Sequence, residues 1–159
     1  MNVLMYKILL FSFIFLTLDQ LSKWFVVFYL ELKHKLYLNL NNQFINFYMA
    51  WNKGINFGLF EGDSVLQAYI LTAVAVVISI VFFIWLKNST SLFIQLLASL
   101  VIGGALGNAI DRLMYGAVAD FINITCCGLR NPYSFNLADI FIFMGLVGIL
   151  IFRFEDKQN

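Results

Sequence analysis

Apolar residues fall in four blocks along the chain, separated by short polar stretches. The first block, 8–30, is interrupted only by Asp19-Gln20-Leu21-Ser22-Lys23, and the second, 65–86, carries no charge. A polar turn at 87–91 sends the third block, 92–113, back antiparallel to the second; the fourth covers 135–152 and is closed by Arg153 and Lys157. A helix that crosses the hydrocarbon core needs roughly 20 apolar residues, so these blocks predict four spans. Residues 8–18 behind Lys7 would alone suit the apolar core of a cleaved signal peptide. No small-x-small cleavage site follows, however, and hydrophobicity resumes at Trp24, which predicts a retained helix.

Between the first two spans lies the segment 31–64, too long for a turn and rich in aromatics, including Tyr37, Phe44, Phe47, Tyr48, Trp51, Phe57 and Phe60. Partial alternation in Leu36-Tyr37-Leu38-Asn39-Leu40 predicts short strands, and the aromatic content suits a membrane–water interface. The expected fold is an all-α membrane protein: a four-transmembrane-helix bundle, one integral domain over 1–159, with a small β-rich interfacial subdomain between helices 1 and 2. Composition agrees, with 62% hydrophobic and 12% charged residues in 159, against about 25% charged in soluble domains. A net charge of +1 leaves no basic footprint for nucleic acid.

Four spans place the end of span 1, the 31–64 segment, the end of span 3, the 114–134 segment and the start of span 4 on one membrane face. Loop charge does not orient the bundle, because Lys7, Lys87, Arg153 and Lys157 mark one side and Lys33, Lys35, Lys53 and Arg130 the other. Nearly every unusual polar residue lies on that shared face. Asp19, Lys23, Asp111, Arg112, Asp120 and Asp139 would each cost roughly 2.5–3.5 kcal/mol at a helix centre, and less near an interface. A merely structural bundle avoids that expense, so all six are functional candidates.

Their spacing suggests how they group. Asp19 and Lys23 are four apart on one helix face and can pair. Gly103 and Gly107 let another helix approach closely, while Asn108 and Arg112, also four apart, project towards whatever the glycines bring near. Four carboxylates meet two cations here; if Lys23 and Arg112 each take one partner, Asp120 and Asp139 are left over. Should their helix ends pack together, desolvation and repulsion would keep one proton on the pair. A neutral acid beside an ionised base can activate water against an amide carbonyl. The alternative is two separately hydrated interfacial aspartates.

Other chemistries find little support. There is no HExxH or histidine cluster, and His34 sits in the basic run Lys33-His34-Lys35, which suits a solvated surface. Ser22 and Lys23 are helix neighbours pointing about 100° apart, a poor nucleophile–base pair. Cys126 and Cys127 are adjacent, unsuited to an ordinary disulfide, and lack metal-ligand partners, so no metal or cofactor is expected. Two rival classes are a small transporter, which would continue polar residues through the membrane, and an assembly partner using the span 3 glycines.

The sequence resembles the lipoprotein signal peptidase family, also called signal peptidase II, a membrane-embedded aspartic protease family of bacteria. Five ordered blocks carry the resemblance over essentially the whole chain: Asp19-Gln20-Leu21-Ser22-Lys23; Asn52-Lys53-Gly54 with Phe57-Gly58; Gly103-Gly104-Ala105-Leu106-Gly107-Asn108 through Asp111-Arg112-Leu113; Gly116-Ala117-Val118-Ala119-Asp120-Phe121; and Phe135-Asn136-Leu137-Ala138-Asp139. The resemblance implies that Asp120 and Asp139 form a catalytic dyad supported by Asp19, Lys23, Asn52, Gly54, Asn108, Arg112 and Asn136. It implies a substrate as well, a diacylglyceryl-modified prolipoprotein cut on the amino side of its lipidated cysteine. A bacterial cytoplasmic-membrane location follows, with cytoplasmic termini and a site near the extracytoplasmic face. Membrane lipids are expected around the chain, cyclic peptide antibiotics such as globomycin are expected inhibitors, and a monomer is the default. Similar proteins are described with a small β-sheet cradle and an external helix after span 1. Asn56 departs from the pattern, at a position commonly small and apolar in the family.

Overall fold

The computed structural model describes residues 3–40, 44–54, 64–125 and 131–155. Asn56, Phe57, Gly58, Phe60, Cys126, Cys127, Arg130 and Lys157, all weighed from the sequence, lie outside the described residues. The helices are α1 (Val3–Lys23), continued by a π-helix (Trp24–Tyr29), the single turn α2 (Leu32–Lys35), α3 (Ser64–Leu86), α4 (Leu92–Tyr115) and α5 (Leu137–Glu155). Three are long and apolar enough to cross a membrane: Met5–Tyr29, Val65–Leu86 and Leu92–Tyr115. The apolar part of α5, Leu137–Phe152, is shorter. The predicted fourth block, 135–152, therefore starts two residues before the helix does. Phe135 is drawn into the sheet, donating its N–H to Ile122 O at 3.0 Å, and the helix begins only after Asn136.

The bundle is organised around α4. Of its most apolar stretch 72% is buried, against 22% for α3, because α1, α3 and α5 all pack on it. Close approach of α1 depends on the two glycines singled out above. A Cβ at Gly103 would lie 2.7 Å from the Ser12 carbonyl oxygen, and one at Gly107 would collide with the Asp19 carboxylate. Without a hydrophobic drive between helices in lipid, such close packing and interhelical hydrogen bonds are what hold them together.

At the end of α4 the chain turns sharply. Gly116 takes a left-handed conformation (φ 71°), donating its N–H to Arg112 O at 3.0 Å, a helix stop that favours glycine. The next residues form β3 (Val118–Ile124), which joins β2 (Ile45–Asn52) and β1 (Tyr37–Leu38) in an antiparallel sheet of order β1-β2-β3. The expected subdomain between helices 1 and 2 is thus corrected: its third strand comes from beyond α4. Ala119 and Phe121 of β3 pack with Met49, Val26, Val27 and Leu32, which seats the sheet on the π-helical end of α1. A bulge between Phe47 and Ala50 shifts the β2–β3 register and leaves Ala50 opposite Asp120.

Candidate active site

All six ionisable candidates lie at the sheet end of the bundle, and hydrogen bonds and ion pairs divide the five other than Arg112 into two groups. In the first, buried Lys23 bridges α1 and α4. Its Nζ lies 2.8 Å from Asp19 Oδ2 and 2.9 Å from Asp111 Oδ2, and donates to Asn108 Oδ1 at 2.9 Å. Its three N–H donors are therefore all engaged. Gln20, absent from the expected site, closes this cluster by donating from Nε2 to Asp111 Oδ1 at 3.0 Å and to Gly107 O at 3.1 Å.

Both of these carboxylates also hold backbone that leads to the remaining two. Asp19 Oδ1 accepts from Ala138 N at 3.0 Å, fixing the first turn of α5. Asp111 Oδ2 accepts from Ala119 N at 3.1 Å, fixing β3 one residue before Asp120. The Asp19–Lys23 pair expected from the i,i+4 spacing is present. The expected pairing of Arg112 with a carboxylate is not: among the described residues Arg112 makes no ion pair, and Lys23 neutralises two aspartates instead. Arg112 Nη1 lies 3.4 Å from Asn108 O, and its buried Nε finds no partner.

The second group contains Asp120 and Asp139, which among the described residues receive hydrogen bonds only from amides. Asp120 is buried on β3; its Oδ2 accepts from Asn52 Nδ2 at 2.9 Å and its Oδ1 from Asn136 Nδ2 at 2.5 Å. Half-buried Asp139 sits in the first turn of α5, where its Oδ1 accepts from Asn108 Nδ2 at 2.9 Å and its Oδ2 from Asn136 N at 3.1 Å. Asn136 Oδ1 accepts in return from Asp139 N at 3.0 Å. Asn136 and Asp139 thereby form a reciprocal cap, with an aspartate in the place a glutamate often fills. Asn136 Nδ2 also lies 3.2 Å from Asn108 Oδ1, linking the two groups. Asn52 is itself oriented by the Gly54 N–H, which donates to its Oδ1 at 2.9 Å.

Burial first, and the negative charge of Asp139 second, push the Asp120 carboxyl up to about 6, against the hydrogen bonds from Asn52 and Asn136. Two carboxyls thus share one polar nest, with amides to orient them and, among the described residues, no cation bonded to either. Among the described residues no group of three or more His, Cys, Asp or Glu is placed to hold a metal ion.

A family model described as signal peptidase (SPase) II matches residues 11–155. The chain belongs to the signal peptidase II family. The lipoprotein signal peptidase of Methylorubrum extorquens (strain PA1) is 38% identical over 136 residues, 86% of this chain and 78% of that protein. That of Pelagibacter ubique (strain HTCC1062) is 35% identical over 155 residues, 96% and 89% of the two chains. A solved bacterial membrane enzyme, determined in meso at 1.9 Å resolution, superposes with a TM-score of 0.73 at 26% identity, covering 91% of this chain and 90% of its own. A second, determined at 2.3 Å, gives 0.71 at 25% identity, covering 94% and 88%. Signal peptidase II membership makes the chain a membrane protease. Gln20, which closes the Lys23 cluster, is the member of this arrangement that the sequence reading left out, although it lies inside the first quoted block.

Proposed function

We propose that this chain is an aspartic endopeptidase that removes the signal peptide from diacylglyceryl-modified prolipoproteins, cutting on the amino side of the lipidated cysteine. The observation that carries the reading is the division of four carboxyls into two kinds. Asp19 and Asp111 are neutralised by Lys23, whereas Asp120 and Asp139 meet around Asn136 with amide donors alone among the described residues. Water held by the pair gives a proton to the Asp139 carboxylate as its oxygen bonds to the scissile carbonyl carbon. The carboxyl of Asp120, which burial helps to keep protonated, donates to the carbonyl oxygen. Asp139 then passes its proton to the amide nitrogen while Asp120 takes one back from the gem-diol, and the C–N bond breaks, leaving a carboxylic acid on the signal peptide, an amine on the cysteine and the pair in its starting state.

The surroundings suit a lipid-anchored substrate. Acyl chains can stay in hydrocarbon while the peptide bond reaches a site at the helix ends, and α5, about 28 Å long at 1.5 Å per residue, serves as the fourth span. In this reading the chain is a monomer in the bacterial cytoplasmic membrane, with both termini cytoplasmic and the sheet outside. Asp19, Lys23, Asn52, Gly54, Asn108 and Asn136 hold the pair in place, and Arg112 contacts substrate. The test is cleavage by purified protein of one precursor offered with and without the diacylglyceryl group, with no metal added. Only the lipidated form should be cut, and Asp120→Asn or Asp139→Asn should each abolish turnover in folded protein. Near-normal activity in either variant overturns the dyad.

A further inference from the structure

A second cleft, of about 670 Å³, lies away from the two aspartates and is lined by Tyr37, Asn46, Tyr48, Asn123, Thr125 and the Asn131-Pro132 pair. Its floor is sheet. Asn46 stands opposite Asn123 in the β2–β3 register, and Tyr37 stands opposite Tyr48 in the β1–β2 register. Asn46 and Tyr48 are two apart on β2 and so share a face, which sets two amides beside two phenols. One wall is pinned rather than loose. Asn123 Nδ2 donates to Asn131 O at 2.9 Å and to Tyr133 O at 2.8 Å, and Ser134 Oγ donates to Tyr48 O at 3.0 Å. None of the described lining residues is charged.

One lining group lacks what its chemistry demands. Asn46 Oδ1 is shielded from solvent and finds no hydrogen-bond donor among the described residues, whereas buried carbonyl oxygens are ordinarily paired. Its neighbours Tyr37 and Tyr48 are about half exposed, at 48% and 51%. A cleft whose described lining carries no charge, with an unmet acceptor and two aromatic faces, suits a neutral polar chain that supplies N–H donors, such as an extended polypeptide.

Position indicates which polypeptide. β3 leads from the helix ends at Val118, past Asp120, to the cleft at Asn123, about 10 Å beyond Asp120 at roughly 3.3 Å per residue. A signal peptide must remain apolar and in the bilayer, so the part of a substrate that can follow β3 outward is the part beyond the scissile bond. We infer that the Asn46–Tyr48–Asn123 cleft binds the neutral polar segment that follows the lipidated cysteine, roughly its third to sixth residues, and so acts as an exosite. The inference rests on the function proposed above.

The test compares two lipidated substrates cut by the full-length protein in detergent, one ending just after the cysteine and one continuing for ten uncharged polar residues. The longer substrate should show a KM several-fold lower at similar kcat. The ratio of kcat/KM between long and short substrates should fall to about one in Asn46→Val and in Tyr48→Ala. Added in trans to wild-type protein, the ten-residue segment alone should inhibit cleavage of the long substrate and spare the short one. Equal kinetics for the two substrates in wild type, or equal losses on both in the variants, overturns the exosite. Failure of the underlying function looks different: neither substrate is cut, or Asp120→Asn still cuts both.

Discussion

Asn136 donates its side-chain amide to Asp120 Oδ1 at 2.5 Å. Its backbone N–H meets Asp139 Oδ2 and its side-chain oxygen caps the first turn of α5, so one residue performs a structural task and a positioning task that substitution can separate. Serine caps helices about as well as asparagine but is too short to bridge to β3. Asn136→Ser should therefore keep thermal stability within about 1 kcal/mol and lower kcat roughly a hundred-fold, the scale expected when reacting groups are misplaced by an ångström. Asn136→Ala should lose activity similarly and a further ~1 kcal/mol of stability. Thermal unfolding and cleavage kinetics on the same preparations check both statements.

Asp120 should weaken the fold at neutral pH. Its carboxyl titrates at about 6 in the folded protein, above its ordinary value of 3.8, so between those values the folded chain holds a proton that the unfolded chain has released. Stability from this group is fully present below about pH 4 and is lost as pH rises through 6. Asp120→Asn does not titrate, and should be more stable than wild type by about 2–3 kcal/mol above pH 7, with the difference vanishing near pH 4. A pH series of thermal unfolding on the two proteins checks the sign. A variant less stable than wild type at pH 8 would contradict it.

Sequence spacing exposes contacts within one helix more readily than contacts between helices. The Asp19–Lys23 pair and the close approach of another helix to Gly103 and Gly107 were legible because each follows from helical periodicity or side-chain size, whereas only the structure identifies that helix as α1. Lys23 reaching Asp111 depends on how far α1 slides along α4, which no spacing encodes, and so Arg112 was wrongly given a carboxylate. β3 escaped for a different reason. Val118, Ala119, Asp120 and Phe121 are all buried, so the alternation that marks a half-exposed strand is missing. The start of α5 was misplaced because Phe135 is apolar enough to extend the block, although it bonds to the sheet.

Lys23 is the residue whose loss should be most damaging to the fold. It is 4% exposed and lies between two aspartates that are 0% and 1% exposed, and removing one member of a buried ionic cluster typically costs about 3–5 kcal/mol because the remaining charges are stranded. Lys23→Met should fall in that range. Adding Asp19→Asn and Asp111→Asn to Lys23→Met removes the stranded charge and should recover much of the loss, since the amides can still meet Ala138 N and Ala119 N through their oxygens. Thermal unfolding of the single and triple variants, at one pH and one detergent concentration, reads out the recovery. A triple variant no better than the single one would show that the cluster stabilises through packing.

Arg112 presents the opposite balance. It forms no ion pair among the described residues, holds one long hydrogen bond to Asn108 O, and buries an unpartnered Nε, so the fold gains little from its guanidinium. It lines a cleft of about 370 Å³ between α3, α4 and α5, together with Asn108 and otherwise apolar side chains such as Ile142 and Leu146. A planar, multiply donating cation at the polar end of an apolar slot is suited to gripping a peptide carbonyl there, a task that lysine performs poorly because it lacks the guanidinium fork. Arg112→Lys should reduce kcat/KM at least ten-fold, equivalent to about 1.4 kcal/mol of transition-state stabilisation, while moving the unfolding temperature by only a degree or two. If the order is reversed, with a large drop in unfolding temperature and near-normal cleavage, Arg112 belongs to the scaffold and the slot must hold its substrate by apolar contact alone.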